Sequence, residues 1–233
     1  MEIQTAGIGG ILMKKVIRNI VARTYKPLLE RYLSKTRLYR YGDILLEIPP
    51  EVFHPGFFFS TQFLLETIKE FSLKGKCLLE PGCGSGLISI YAAKRGAKVT
   101  ASDINPIAVK KLKQNADRNN VDVEIIHSDL FKNIPARCYD FVVINPPYYK
   151  KQPVTMKDYA WHCGENGEYF QNLFEGIGDY INTDSVVLVV MFEGCDIEMV
   201  KRYAHEYSYD LKCIRSQSNI LERNFIYRLE ILK

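Results

Sequence analysis

The sequence predicts an α/β protein in which a mostly parallel sheet of seven strands is covered by helices on both faces. From residue 77 onward, apolar segments of strand length alternate with amphipathic segments of helix length. Repeated strand–helix units of this kind form parallel sheets. The last two predicted strands have no helix between them, which indicates an antiparallel hairpin at one edge of the sheet.

The predicted elements follow turn and cap residues. Gly42-Asp43 predicts a small hairpin of Arg37–Tyr41 and Ile44–Ile48, and Ser60 or Thr61 is expected to cap a helix that runs to Phe71. The seven predicted strands of the sheet are Cys77–Glu80, Lys98–Asp103, Val123–Ser128, Tyr139–Asn145, Val186–Phe192, Leu211–Arg215 and Phe225–Leu232. The predicted helices among them are Leu87–Arg95, Pro106–Asn119 with Asn105 as its cap, Glu168–Ile181 and Asp196–Tyr207.

Composition limits the class of protein. The 233 residues are 47% hydrophobic and 25% charged, which is typical of a soluble globular protein. No apolar run approaches the roughly 20 residues that cross a bilayer, so no membrane association is expected. The six cysteines have no C-x-x-C spacing, which predicts reduced thiols in the cytoplasm and no metal site.

The first 40 residues form a basic arm with nine Lys or Arg and two Glu, a net charge of +7 against +4 for the whole chain. Apolar residues recur in the arm near helical spacing, and Pro27 suits the first turn of a second helix. Two interpretations stay open: a helix that binds RNA or an acidic partner, and an amphipathic helix that packs on the domain. We expect the arm and the small hairpin to occupy residues 1–50, and one domain to occupy residues 51–233.

Polar side chains close four successive strands of the predicted sheet, namely Glu80, Asp103, Asp129 and Asn145. An open parallel sheet binds its ligand beyond the carboxyl ends of the strands. An Asp at such a place also commonly caps the next helix or turn. The joint placement of the four side chains favours a ligand site at this edge of the sheet.

A glycine-rich loop follows the first strand of the sheet. Gly82, Gly84 and Gly86 let the backbone turn sharply and approach a ligand closely. The spacing G-x-G-x-G differs from the dinucleotide fingerprint, which requires Gly or Ala where Leu87 stands, and the loop lacks the ending of a P-loop. NAD and ATP are therefore disfavoured.

The next two strand ends suit a nucleoside. Asp103, at the end of the second strand, can accept hydrogen bonds from both hydroxyls of a ribose. Asp129 can accept from the exocyclic amine of adenine. Ile104 and Leu130 can sandwich the adenine ring.

The segment Asn145-Pro146-Pro147-Tyr148 suits chemistry on a planar nitrogen. Such a nitrogen is a poor nucleophile because its lone pair is delocalised, so it must be held in line with the group it attacks. The Asn145 side-chain oxygen and the Pro146 carbonyl can each accept an N–H bond, and the two prolines keep these acceptors aimed. Tyr148 offers a ring for stacking on a flat substrate.

Together these residues resemble a family. Residues from about 51 to 190 resemble the class I S-adenosylmethionine-dependent methyltransferases of the Asn-Pro-Pro-Tyr branch, which includes release-factor glutamine methyltransferases and amino methyltransferases of RNA and DNA bases. The resemblance implies a Rossmann-like fold, S-adenosyl-L-methionine as cofactor and transfer of a methyl group to a planar amino or amide nitrogen. It implies catalytic roles for Asn145, Pro146, Pro147 and Tyr148. It implies cofactor contacts from Thr61, Glu80, Gly82, Cys83, Gly84, Gly86, Asp103, Ile104, Asp129, Leu130 and Asn145.

Two features bear on the methyl acceptor. Residues 160–167 resemble the Ala-Leu-x-Gly-Gly-x-Asp-Gly stretch of glutamine methyltransferases, with Cys163 where Gly is usual and Asn166 where Asp is usual. The basic arm favours nucleic-acid binding. Tyr148, Tyr149, Tyr159 and Trp161 can form a stacking surface for a flipped base, pack around a glutamine loop, or belong to the core. A release factor and an RNA both stay open as the macromolecular substrate. A small-molecule methyltransferase and a catalytically silent binding protein remain alternatives.

Overall fold

The structure, a computed structural model, describes residues 26–219 and 222–232. Within these residues two strands form a small hairpin and seven form the main sheet. The hairpin strands are β1 (Arg37–Tyr41) and β2 (Ile44–Ile48). The strands of the main sheet are β3 (Cys77–Pro81), β4 (Lys98–Asp103), β5 (Glu124–His127), β6 (Phe141–Ile144), β7 (Val186–Phe192), β8 (Tyr209–Ser218) and β9 (Arg223–Ile231).

The main sheet has the predicted topology. Its strand order is β5-β4-β3-β6-β7-β9-β8. The pairs from β5 to β7 are parallel, whereas β9 pairs antiparallel with both β7 and β8. Every residue of β6 is buried, as expected for a central strand covered on both faces. The predicted seven-stranded sheet with an antiparallel edge hairpin is confirmed.

Helices cover both faces of the sheet. The helices are α1 (Lys26–Leu33), α2 (Phe59–Ile68), α3 (Leu87–Lys94), α4 (Pro106–Arg118), α5 (Glu168–Gly176) and α6 (Ile197–Glu206). One apolar core lies between the sheet and α2, α3 and α4, and a second core lies between the sheet and α5 and α6. Asn105 accepts a hydrogen bond from the first turn of α4, as its predicted role as a cap requires. Asp196, predicted as the first residue of its helix, instead precedes α6 and caps it through a hydrogen bond from Met199.

The β1–β2 hairpin packs on α4. Ile44, Leu46 and Ile48 of β2 bury their side chains in the first core. The backbone N–H groups of Leu45 and Glu47 donate to the side-chain oxygens of two asparagines at the end of α4, both at 2.9 Å. These contacts fix the hairpin so that the segment after β2 lies near the carboxyl edge of the main sheet.

The predicted cap of α2 is wrong. The helix begins at Phe59, with Phe58 in the cap position and no side-chain hydrogen bond to the first turn. Ser60 and Thr61 lie inside the first turn and are buried, because their side chains point into the protein instead of back along the helix. The helix also ends at Ile68 instead of Phe71, because the backbone N–H groups of Glu70 and Phe71 reach only three residues back.

Other differences concern the lengths of elements. The predicted helix Glu168–Ile181 is α5 followed by a 3-10 turn over Ile177–Tyr180, since Gly176 lies against the ring of Phe131 and the hydroxyl of Tyr180 donates to the carbonyl of Ile134 at 2.8 Å. The strands β8 and β9 extend towards each other beyond their predicted ends. Their added residues are polar, and pairing across the hairpin satisfies their backbone.

Part of the basic arm is described. Pro27 is the second residue of α1, as predicted, and Leu28 and Tyr32 are 66% and 42% exposed. The apolar residues of the predicted preceding helix lie outside the described residues. None of the helices in residues 26–219 and 222–232 combines the length and the apolar character needed to cross a bilayer.

Candidate active site

A cleft with about 1070 Å³ of open space lies at the carboxyl ends of β3, β4 and β6. It brings together nearly all the residues singled out in the sequence. Those that line it are Thr61, Glu80, Gly82, Cys83, Gly84, Asp103, Ile104, Asp129, Leu130, Asn145, Pro146, Pro147 and Tyr148. Gly86 does not line it. Gly86 stands before α3 with a φ of +81°, where an added Cβ would lie 2.1 Å from a methyl carbon of Leu112 in α4, so this glycine permits the packing of two helices.

The glycine loop forms one wall of the cleft. The N–H groups of Gly82 and Cys83 both donate to the carbonyl of Ser102 in β4, at 2.8 and 2.9 Å. Gly82 has a φ of +74°, and a Cβ there would meet no atom within 4 Å. The backbone at Gly82 therefore needs a residue that adopts positive φ, and it leaves open space for a ligand.

Glu80 lies buried at the base of this loop. The backbone N–H and the hydroxyl of Ser89 in α3 both donate to its Oε2 atom, the former at 2.8 Å. Burial raises the pKa of Glu80 to about 8, although the hydrogen bonds from Ser89 act in the opposite direction. A cationic ligand group close to Glu80 would favour its ionised form.

Asp103 joins the glycine loop to the end of β4. Its Oδ2 accepts from the N–H of Gly84 and its Oδ1 from the N–H of Asn105, both at 2.8 Å. Burial raises the pKa of Asp103, and these two backbone bonds oppose the rise. Each carboxylate oxygen keeps a lone pair that can accept a further hydrogen bond.

The wall after β5 combines charge with backbone strain. Asp129 forms an ion pair with Lys132 at 2.6 Å and remains 43% exposed. Leu130 has a φ of +47°, a conformation uncommon for a residue with a branched side chain. Such residues cluster at functional sites. Ile104 lines the same wall, and its carbonyl lies 2.8 Å from Nε2 of His127.

The Asn145 side chain is held at both ends. Its Nδ2 donates to Oγ1 of Thr61 in α2 at 3.1 Å. The hydroxyl of Tyr148 donates to its Oδ1. Burial raises the pKa of Tyr148, so the hydroxyl stays protonated and acts as a donor. The buried side chain of Thr61 thus orients a second side chain instead of capping its helix.

The backbone after Asn145 is anchored by a residue 13 positions beyond Tyr148. The carbonyl of Trp161 accepts from the N–H groups of Tyr148 and Tyr149, at 3.0 and 2.8 Å. The ring of Phe192 at the end of β7 packs against Tyr148, with 5.0 Å between centroids. The sequence indicated a role for the ring of Trp161 but not for its carbonyl, because every residue has a backbone carbonyl and its contacts cannot be predicted from residue type.

Other lining residues were missed. Phe53, Ser85 and Tyr169 line the cleft, as does Met156 from the segment that follows the prolines. Tyr159, which the sequence singled out as a stacking residue, also lines the cleft. Burial raises the pKa of Tyr169, and the nearby carboxylates of the cleft raise it further. The sequence did offer a signal for Tyr169. It is the second residue of α5 and directly follows residues 160–167, which had already been singled out, so it could have been predicted to lie near the site.

Comparisons with known proteins agree with this architecture. Residues 49–163 match the methyltransferase small domain family. A protein of Methanocaldococcus jannaschii, named as a candidate protein N5-glutamine methyltransferase, is 36% identical over 153 residues, which are 63% of this chain and 75% of that protein. The ribosomal protein L11 methyltransferase of Thermosipho africanus is 34% identical over 131 residues, 55% of this chain and 50% of that protein. The chain thus spans only half the length of that second relative.

A solved structure shows the same fold. The 16S rRNA N2 G1207 methyltransferase of T. thermophilus, in complex with AdoMet and guanosine, matches with a TM-score of 0.64 and 17% identity over 85% of this chain and 50% of that one. The Rossmann-like fold, the methyltransferase class and the S-adenosylmethionine cofactor predicted from the sequence are confirmed. The matches also agree with N-methylation. Residues 49–163 carry the methyltransferase small domain, and the chain belongs to the class I S-adenosylmethionine-dependent methyltransferases.

Proposed function

We propose that the protein transfers the methyl group of S-adenosylmethionine to the side-chain amide nitrogen of a glutamine in a protein substrate. The observation that carries the proposal is the Asn145 carboxamide, held by Thr61 and Tyr148 at the cleft. A carboxamide oriented in this way can accept an N–H of another planar amide.

The residues of the cleft fit the cofactor. Gly82 leaves space beside the backbone, and Asp103 keeps free lone pairs where ribose hydroxyls would donate. We assign the methionine side to Glu80 and the glycine loop with Cys83. We assign the adenine side to Ile104, Asp129 and Leu130. When bound, the cofactor supplies a methyl group activated by a sulfonium.

The protein contributes orientation to the reaction. Oδ1 of Asn145 accepts one hydrogen bond from Tyr148, and its second lone pair can accept an N–H of the substrate nitrogen that is to be methylated. The carbonyl of Pro146 offers another acceptor, and Pro147 limits backbone freedom beside it. Two acceptors so placed would hold the amide nitrogen with its lone pair directed at the methyl group.

No strong base is needed. The pKa of Tyr148 is raised by burial, so its hydroxyl is a poor proton acceptor. The amide nitrogen becomes cationic as it forms the new bond, and its proton is then acidic enough to leave to water. The role of Tyr148 is to hold Asn145.

Two observations favour glutamine as the acceptor. The relative with 36% identity and 75% coverage is named as a candidate for this activity. The segment similar to glutamine methyltransferases makes a tight turn in which Gly164 and Gly167 have φ values of +91° and +78°. This turn leads from Trp161, whose carbonyl holds the catalytic segment, into α5.

An RNA base is the second candidate acceptor. The net charge of +7 in the first 40 residues favours it, because a basic segment attracts phosphates at low salt. The Asn145 site would suit the exocyclic amine of a base as well as an amide. The two candidates differ in the macromolecule that carries the methyl group.

Sensitivity of the methylated product to protease or ribonuclease distinguishes a protein acceptor from an RNA acceptor. The purified protein and labelled S-adenosylmethionine are added to a lysate that lacks the protein, and the product is divided for protease or ribonuclease treatment. We expect protease-sensitive label that survives ribonuclease. Label that is released only by ribonuclease would refute the glutamine proposal and favour RNA.

Two further expectations are retained as proposals. We place the protein in the cytoplasm, supported by its six free cysteines, two of which are exposed. We divide the chain near residue 50 into a basic arm with the hairpin and a catalytic domain, supported by the family match that starts at residue 49.

A further inference from the structure

A second cavity adjoins the cleft. It is a shallow space of about 430 Å³, part of which is open solvent, and it shares Glu51, Val52, Phe53 and Ala160 with the cleft. It extends away from these residues towards the end of α1 and the segment after β2. A ligand in the cleft and a group in this cavity would therefore occupy adjacent spaces that share these four residues.

Aromatic and proline side chains form the walls of this cavity. The rings of Phe53, Phe58 and Trp161 contact each other, with centroids 4.5 to 5.2 Å apart. Leu33 and Pro49 extend the apolar lining. Such walls suit an apolar side chain, which needs no hydrogen bonds, better than a base, whose edges need donors and acceptors.

Two lysines lie in the lining. Lys35 and Lys157 are both exposed, and neither has an ion-pair partner among the residues that the structure describes. Glu51 is the carboxylate in the described lining, and burial lowers the pKa of His54, which leaves that ring neutral near pH 7. The cavity therefore carries an excess of positive charge beside its apolar walls.

Trp161 connects this cavity to the catalytic segment. Its ring lines the cavity, while its carbonyl accepts from the N–H groups of Tyr148 and Tyr149. A group that packs against the ring would hold the residue that positions Tyr148. A substrate group in the cavity would therefore lie next to the residue that anchors Tyr148.

We propose that this cavity binds a large apolar side chain of the substrate protein, next to an acidic residue of the same segment. This inference rests on the proposed function, since it assigns the cavity to the protein that carries the glutamine. The apolar side chain fills the space beside Trp161, and the acidic residue pairs with Lys35 or Lys157. The cavity then selects the segment, while Asn145 selects the nitrogen.

The chain offers a direct reporter of binding. Trp161 is the only tryptophan of the sequence, so emission excited selectively at tryptophan arises at this cavity. The probe is the blocked dipeptide N-acetyl-phenylalanyl-glutamate amide, compared with the alanyl-glutamate and phenylalanyl-glutamine analogues. We expect a saturable change in emission with the first probe and binding weaker by about fivefold or more for each analogue.

Matched variants assign this signal to the cavity. Leu33→Phe fills the space, whereas Leu28→Phe changes an exposed residue of the same helix. Lys35→Glu with Lys157→Glu reverses the lining charge, whereas Lys110→Glu with Lys113→Glu makes the same charge change on an exposed face of α4. We expect Leu33→Phe and the double variant of Lys35 and Lys157 to lose binding of the dipeptide. We expect the two controls, Leu28→Phe and the double variant of Lys110 and Lys113, to keep it.

Several results would overturn the inference. The absence of a saturable change in the unaltered protein is one, and equal binding by every variant is another. Tighter binding of adenosine 5′-monophosphate than of the dipeptide, lost in the same variants, would assign the cavity to a nucleotide instead.

Turnover separates this inference from the proposed function. Glutamine peptides with and without a neighbouring Phe-Glu pair are compared as methyl acceptors, and we expect the pair to lower KM about tenfold with little change in kcat. Equal KM values would overturn the inference and leave the proposed function standing. Binding of the dipeptide without methylation of any glutamine peptide would support the cavity and overturn the proposed function.

Discussion

The hydroxyl of Tyr148 donates a hydrogen bond to Oδ1 of Asn145, while Thr61 accepts from the other end of the same carboxamide. The side chain is therefore oriented before any substrate arrives. A preorganised acceptor avoids the cost of reorganisation during the reaction, which is the main advantage a protein has over water. The bond to Thr61 joins α2 to the end of β6, and the bond from Tyr148 lies within the segment that follows β6.

Removing the Tyr148 hydroxyl tests this relationship. We expect Tyr148→Phe to lower kcat by about 10-fold, because the carboxamide loses one of its two fixed partners. Affinity for S-adenosylmethionine, measured by calorimetry, should stay within about twofold. Tyr149→Phe is the control, since its ring is exposed and its hydroxyl does not contact Asn145. Equal kcat values for the two variants would contradict the positioning role.

Asp103 and Asp129 should differ in their effect on the cofactor. We expect Asp103→Asn to weaken S-adenosylmethionine binding by about 1–3 kcal/mol, since an amide nitrogen cannot accept the bonds that the buried carboxylate accepts. Asp129→Asn should have a smaller effect, because that side chain is 43% exposed and already paired with Lys132. Calorimetry measures both affinities, and melting temperatures control for damage to the glycine loop. An unchanged affinity in Asp103→Asn would refute the ribose assignment.

Stability should depend on pH through Glu80. Its pKa is about 8 in the folded protein, raised from 4.5 by burial, so the folded state binds a proton more tightly than the unfolded state. The contribution of Glu80 to the free energy of unfolding therefore falls as pH rises from about 4.5 to 8, by at most about 1.4 kcal/mol per pH unit. Glu80→Gln keeps an oxygen acceptor for Ser89 and does not titrate.

Urea unfolding of the unaltered protein and of Glu80→Gln between pH 5 and 9 measures the difference in their free energies of unfolding. We expect the unaltered protein to lose stability relative to Glu80→Gln as pH rises. A difference that stays constant across this range would mean that Glu80 is ionised at neutral pH, contrary to its burial.

Two glycines of the same loop should serve different purposes. Gly86→Ala should lower the free energy of unfolding by about 2–4 kcal/mol, since it combines backbone strain with a collision with Leu112. Gly82→Ala should lower it by only about 1–2 kcal/mol, the cost of positive φ, because a Cβ there meets no protein atom. Gly82→Ala should nevertheless weaken cofactor binding more. If the order of the two unfolding energies is reversed, the assignment of Gly86 to helix packing is wrong.

The central strands of the sheet were predictable because they are buried on both faces. Val186–Phe192 has the bounds that the sequence predicts, since it is a continuous apolar run. Lys98–Asp103 also has its predicted bounds, between Gly96 and the cap residue Asn105 of the next helix. The strand ends then bring Glu80, Asp103 and Asn145 to one edge. In a parallel sheet this convergence follows from topology alone.

The remaining features depend on tertiary contacts that residue type does not encode. Thr61 is predicted as a cap from the sequence, but in the structure its hydroxyl oxygen accepts a hydrogen bond from Asn145, 84 residues later. The anchoring of Tyr148 uses a carbonyl, which every residue has. The second cavity arises where the segment after β2 meets Trp161, and no periodic pattern predicts that meeting.

The central claim is that the methyl group goes to a glutamine nitrogen of a protein. Acid hydrolysis of the labelled product tests it directly, because hydrolysis of N-methylglutamine leaves glutamate and releases the label as methylamine, which becomes volatile when the hydrolysate is made alkaline. We predict labelled methylamine from the product of the unaltered protein, and a loss of about 100-fold or more with Asn145→Ala at nearly unchanged cofactor affinity. Label that stays in a nucleoside or in a non-volatile methylated amino acid would contradict the claim.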